Sequence, residues 1–193
     1  MAILKKNNYK RSTWKNGLGF TDEIAIHPPG SSLAKGDFLM RLSSARIEKA
    51  SPFSMFPAHE RVLVVLEGEG IRMAHTFEPG EPEDVNEVLQ LQPYEFPGDI
   101  QSRCELIEGP ITDFSVFVRT GEVFQDVRVK NITEGEEFSW IPEGKWNFAY
   151  AIDGSLECGE GLLELGDTLA TVSGEIHFRT QSGDVKVLFV SLG

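Results

Sequence analysis

The sequence predicts an all-β chain made of two antiparallel units of sandwich or barrel type. Three observations carry this. Short β-branched and aromatic runs are cut repeatedly by Gly, Pro and Asp, the pattern of strands joined by turns. No segment keeps a helical period over three turns. The order strand, tight turn, short strand, Gly-Asp, strand occurs twice, which marks a duplicated unit.

The elements follow in order. Phe38-Leu39-Met40-Arg41-Leu42-Ser43 is the first clear strand, and Arg61-Val62-Leu63-Val64-Val65-Leu66 the second, closed by the turn Glu67-Gly68-Glu69-Gly70. The segment Glu78 to Asp84 reads as a surface loop by composition. Leu91-Gln92-Pro93 and Phe96-Pro97-Gly98-Asp99 lead on to the strand Phe114-Ser115-Val116-Phe117-Val118. The second half repeats the order. Val127-Arg128-Val129 and the acidic loop Glu134 to Glu137 come first. Trp146 to Ile152 then runs into Asp153-Gly154-Ser155, Leu163 to Leu169 carries Gly166-Asp167, and Val185 to Val190 closes the chain. The repeat boundary lies near Thr120 to Val127. It gives an N-terminal barrel over 1–122 that carries a basic arm, and a smaller C-terminal barrel over 123–193.

Charge and composition narrow the function. The 193 residues hold 30 acids against 18 Lys and Arg, a formal charge of −12. That balance argues against a nucleic-acid partner, because neutralising phosphates needs surplus cations. Lys5, Lys6, Lys10, Arg11 and Lys15 nevertheless precede the first acid. Such an arm either lies against an acidic body or binds an anion. No apolar run is long enough to span a bilayer, and the first residues lack a signal peptide's apolar stretch. Cys104 and Cys158 make no metal or redox spacing. The expectation is a cytoplasmic protein with reduced thiols and no membrane partner.

Several side chains could carry chemistry. Trp14-Lys15-Asn16-Gly17-Leu18-Gly19-Phe20-Thr21 has poor helix or core-strand composition. It is either a loop closing a barrel end or a stacking wall with a hydrogen-bonding handle. On an alternating strand, Leu39, Arg41, Ser43, Ala45 and Ile47 share one face. Arg41 would then be buried, and a buried guanidinium needs a carboxylate or a bound anion. The internal partners on offer are Asp99, Asp113 and Glu23. In Ser51-Pro52-Phe53-Ser54-Met55-Phe56-Pro57-Ala58-His59-Glu60-Arg61, the phenylalanines read as core or pocket walls. Ser54, His59 and Arg61 are its polar groups. The four histidines, His27, His59, His75 and His177, show no ligand spacing, so neither a metal centre nor any other cofactor is expected. Phosphate-loop, dinucleotide and nucleophile-elbow motifs are absent from the sequence.

These residues resemble the HutD/Ves family of bicupin proteins. The matching pieces are Trp14-Lys15-Asn16-Gly17 with Gly19 and Thr21, Glu23-Ile24-Ala25, and Phe38 with Arg41-Leu42-Ser43 and Ala45. Pro52-Phe53-Ser54, Phe56-Pro57, Arg61, Gly68-Glu69-Gly70, Phe96, Gly98-Asp99, Cys104, Gly109 and Asp113-Phe114 continue the series. The chain departs from the pattern at Leu18 and Ser51, where the family usually has Gly, at His59, and at Ser115, where Asn is common. The resemblance implies two cupin-like barrels of jelly-roll type. It also implies a link, in some members, to histidine utilisation in a regulatory or ligand-sensing role, and in Ves-like members to stress responses.

The leading expectation is a metal-free protein that binds a small carboxylate metabolite in the first barrel. Arg41 would pair with the carboxylate, helped by Arg61. Trp14 and Phe53 would form walls, Asn16, Thr21, Ser43 and Ser54 would hydrogen-bond the ligand, and Asp99 and Asp113 would orient the arginines. One alternative is a cupin-type enzyme acting on a small carboxylic acid, with Asp113 or Asp99 as general base and Arg41 stabilising negative charge. The other is a non-catalytic interaction module that forms a homodimer through edge strands.

Overall fold

The computed structural model describes residues 1–14, 17 and 19–193. Nineteen strands and one short 3-10 turn make up its regular structure, and every pairing between those strands is antiparallel. The chain divides into two compact units. One is Lys10–Val123, and the other joins Met1–Tyr9 to Phe124–Gly193.

In the first unit a six-stranded sheet runs Lys10–Thr13, Gly19–His27, Met40–Ile47, Ile111–Arg119, His59–Glu67, Tyr94–Pro97. A four-stranded sheet runs Ser51–Phe53, Gln101–Leu106, Gly70–Thr76, Asp84–Leu89. The second unit repeats the design. The order Gln125–Ile132, Val185–Leu192, Trp146–Ala151, Thr168–Thr171 reproduces the run Met40–Ile47, Ile111–Arg119, His59–Glu67, Tyr94–Pro97 of the larger sheet. Glu137–Trp140, Ile176–Thr180, Leu156–Cys158, Gly161–Leu163 reproduces the smaller one. The duplication legible in the sequence is therefore one of topology.

Alternation explains the core. Along Met40–Ile47 both faces are buried, with Met40 and Leu42 on one and Arg41, Ser43, Ala45 and Ile47 on the other. The second face joins Ile47, Leu63, Val65, Phe96 and Ile111 to Ile71, Met73, Val88 and Cys104 of the smaller sheet. Each fully buried aliphatic or aromatic side chain stabilises the fold by about 1.5–3 kcal/mol. That cluster fills one end of the space and leaves the other to polar residues.

The basic arm departs from expectation. Residues 1–9 belong with the C-terminal unit, not the N-terminal barrel, because Ala2–Leu4 pairs with the edge strand Thr168–Thr171. Asp167 anchors the arm. It accepts hydrogen bonds from Lys5 Nζ (2.7 Å) and from the Lys6 amide (2.9 Å). Tyr9 Oη reaches the Gly166 carbonyl at 2.9 Å and Thr168 Oγ1 at 2.7 Å. The arm thus covers an open edge of main-chain groups beside an acidic turn. Arg11, at the start of the first unit, lies on Asp22 at 2.7 Å.

Candidate functional site

Three adjacent central strands place the site. Ile111–Arg119 lies between Met40–Ile47 and His59–Glu67, so Phe117 is flanked by Arg41 and Arg61, and Ser115 by Ser43 and Leu63. Asp113 sits between Ala45 and Val65. These inward rows floor a cavity of about 380 Å³, within the usual range for small-molecule sites. Trp14, Thr21, Phe53 and Phe56 wall it, and the exposed Ser12, Pro52 and Ser54 edge it.

Trp14 is fixed by its indole N–H, which donates to Thr21 Oγ1 at 2.8 Å. Close backbone approach shapes the opposite side. The Gly98 amide donates to the His59 carbonyl (2.7 Å) and the Phe56 amide to the Gly98 carbonyl (2.6 Å). A Cβ at Gly98 would lie 2.7 Å from both the His59 and Phe56 carbonyl oxygens, so only glycine fits there.

The two arginines differ. Arg41 is compensated: its Nε donates to Glu23 Oε2 at 2.8 Å and its Nη1 to Ser43 Oγ at 2.9 Å. Arg61, 5% exposed, has no carboxylate within ion-pair distance among the described residues, and its buried Nε has no hydrogen-bond partner. Four phenyl rings surround its guanidinium instead, with centroids at 4.5 Å (Phe117), 4.7 Å (Phe96), 4.9 Å (Phe53) and 5.8 Å (Phe56). The ring faces hold the cation in place but offer no lone pair to its N–H groups. Asp113 is 2% exposed and accepts one hydrogen bond, from the Ala45 amide at 3.2 Å.

Burial governs both charges. It lowers Arg61 to about 10, with Asp113 opposing the effect and Arg41 adding to it. It pushes the Asp113 carboxyl up to about 7, against the pull of Arg61, the Ala45 amide and Arg41. Desolvation therefore outweighs the attraction between the two groups.

The cavity lining includes Trp14, Thr21, Arg41, Ser43, Phe53, Ser54, Arg61 and Asp113 from the sequence-derived set. Asp99 is not part of it. That residue is exposed, beyond the turn fixed by Gly98, and the carboxylate on Arg41 comes from Glu23. Asn16 lies outside the described residues. Phe117 and Ser115 also line the cavity, although the sequence marks Ser115 only as a departure from the family pattern; their period-two spacing from Asp113 identifies both. His59 is structural, with its ring nitrogens 3.0 and 3.1 Å from the Pro57 and Phe38 carbonyls. Among the described residues no three His, Cys, Asp or Glu side chains gather as a metal site.

The second unit holds no counterpart to this polar set. Superposing the turns at Gly68 and Gly154 brings Arg61 onto Asn147, Asp113 onto Val187 and Ser115 onto Phe189. Asn147 spends its amide on the Gly144 backbone, at 2.9 and 2.7 Å. Phe189 packs its ring against Phe138, Trp140 and Phe178.

Two duplicated antiparallel units, one with a polar cavity, define a bicupin protein. The HutD family model matches residues 6–188, and the chain belongs to the HutD family. It is 30% identical over 178 residues to Protein Ves of Escherichia fergusonii, covering 91% of this chain and 85% of that protein. It is 36% identical over 116 residues to an uncharacterised 21.2 kDa protein in the hutC 3′ region of Pseudomonas putida. That match spans 60% of this chain and little more than half, 57%, of the relative. HutD from Pseudomonas fluorescens SBW25, solved in a formate condition, superposes with a TM-score of 0.75 at 26% identity, covering 100% of this chain and 98% of that one. Hazelnut vicilin (Corylus avellana) shares the fold alone, at TM-score 0.71 and 10% identity, over 97% and 84% of the two chains. No helix of the described residues is long and apolar enough to cross a membrane.

Proposed function

We propose that this protein is a receptor for a small carboxylate metabolite, bound in the first unit without a metal and serving a regulatory role in histidine utilisation or stress response. The carrying observation is Arg61, a buried cation with an orphaned Nε, whose side chain lines a 380 Å³ cavity. A buried guanidinium without a counter-charge is costly, and an anion that enters the cavity removes that cost. Arg41, Ser43 and Ser115 supply further donors on the same floor. The relative in a hutC 3′ region and the HutD structure from a formate condition support acids of histidine breakdown as first candidates.

Thermal-shift titration with formate, acetate and histidine-degradation acids, with and without divalent metals, tests this reading. A ligand at about a hundred times its Kd adds roughly 2.7 kcal/mol of apparent stability. A shift with one acid and no metal, lost in Arg61→Met, is expected. The absence of a shift with every acid, or one that survives Arg61→Met, rejects the reading.

A second reading rests on Asp113. A buried carboxyl held up to about 7 has the affinity of a general acid or base at neutral pH. Turnover of any of these acids by wild type, abolished in Asp113→Asn, would favour an enzyme.

A further inference from the structure

We propose that the cavity takes up one proton together with its anion, and that Asp113 is where the proton resides. The inference rests on the anion-binding reading above and adds to it a charge count. Around the cavity stand two cations, Arg41 and Arg61, and two carboxylates, Glu23 on Arg41 and Asp113. With Asp113 ionised the four charges cancel. A monoanion seated on Arg61 leaves one surplus negative charge in a buried space, and two carboxylates then compete for one guanidinium. Two carboxylates that share a site do not both stay ionised. Proton uptake restores neutrality.

Asp113 is the carboxyl placed to take that proton. It is 2% exposed and lines the cavity, and only one of its oxygens is engaged, by the Ala45 amide. Its second oxygen has no partner among the described residues. When protonated it becomes a hydrogen-bond donor toward the incoming carboxylate. Glu23 is already engaged, its Oε2 accepting from Arg41 Nε at 2.8 Å.

The other charged groups around Asp113 do not supply the proton site. Arg41 and Arg61 come from the flanking strands, and a guanidinium has only N–H donors and no site for a further proton. From the smaller sheet, the buried Cys104 thiol faces Asp113 and is pushed up by burial, so it stays neutral. On the outward face beside Thr112, Arg46 lies 3.8 Å from the exposed Glu67. The site therefore selects the neutral sum of an acid: an anion with its proton.

Acetate is the probe, titrated into the full chain by intrinsic tryptophan fluorescence from pH 6 to 9, since Trp14 walls the cavity. Proton uptake is counted in parallel with an indicator dye in weak buffer at pH 8. The expected Kd is flat near pH 6. Above about pH 7.5 it rises up to tenfold per pH unit, with uptake approaching one proton per acetate, as linkage requires. In Asp113→Asn the slope and the uptake disappear, whatever its absolute affinity. Acetate binding with a flat profile and no uptake overturns the coupling and leaves the anion site standing. The absence of binding at pH 6 overturns both. A slope that persists in Asp113→Asn overturns the assignment to Asp113. Should that variant not fold, the wild-type proton count decides alone.

Discussion

Replacing Arg61 with methionine separates a structural cation from a receptor. Methionine keeps an unbranched chain among the four rings while removing the charge. The fall of Arg61 to about 10 corresponds to a burial penalty on the order of 3 kcal/mol. Four ring faces within 5.8 Å return about 0.5–1 kcal/mol each. The two effects nearly cancel. Unliganded Arg61→Met should therefore match wild type to within about 1 kcal/mol, whereas breaking a buried ion pair costs about 3–5 kcal/mol. The assay is thermal unfolding at pH 6, where most Asp113 is protonated and the substitution strands no carboxylate. Saturating anion should raise the wild-type Tm by roughly 5–10 °C, at about 2–4 °C per kcal/mol, and leave the variant unmoved. A loss of 3 kcal/mol or more, with the anion response retained, would refute the reasoning and make Arg61 a structural residue.

Asp113 ties stability to pH. It ionises near 3.8 when unfolded and at about 7 when folded, so the unfolded chain releases this proton first as pH rises. Its favourable contribution, complete below about pH 4, declines between pH 4 and 7 and is gone above, by about 4 kcal/mol in all. Asp113→Asn should flatten that part of a urea-midpoint profile and be the more stable protein at pH 8. Gly98→Ala forces a Cβ against two carbonyl oxygens at 2.7 Å; a cost of about 1–3 kcal/mol and a disturbed Phe56 wall should appear in urea melts and as weaker anion binding. Asp167→Ala removes the shorter of the two carboxylate contacts of Lys5 and the partner of the Lys6 amide, so hydrogen exchange at residues 1–9 should quicken while anion binding in the first unit is unchanged.

What could be read from the sequence follows from locality. The strands around Arg61, Phe114 and Val185 announce themselves through β-branched runs, and the polar face of Arg41 and Ser43 follows from alternation alone. Gly19–His27 was not legible, since its glycine and acids mask a strand that has a bulge at Ile24. The arrangement around Arg61 depends on register. Phe117 lies more than fifty residues away in sequence, and only the pairing with Ile111–Arg119 brings it there. Asp99 looked available because it follows a conspicuous glycine, yet the hydrogen bonds of Gly98 to Phe56 and His59 turn the chain and leave the next side chain exposed. Charge counting left the arm either against an acidic body or on an anion, and chain order assigned it to the first unit. The open edge at Thr168–Thr171 instead holds residues 1–9 to the second.

The duplication supplies an internal control on why the cavity exists. The same eight-strand topology occurs twice in one chain. In the second unit Val187 and Phe189 stand where the first has Asp113 and Ser115, and an apolar cluster of Ile132, Ala149, Leu156, Leu163, Phe178 and Phe189 fills its core. The fold therefore does not require a polar cavity, and closing it with apolar side chains is the more stable solution. The first unit instead keeps an uncompensated guanidinium and a buried carboxyl at a cost of several kcal/mol. Natural sequences break packing rules of this kind at functional sites, where a bound partner offsets the penalty. An acid delivered with its proton offsets both penalties at once, since it gives Arg61 a counter-ion and leaves Asp113 neutral.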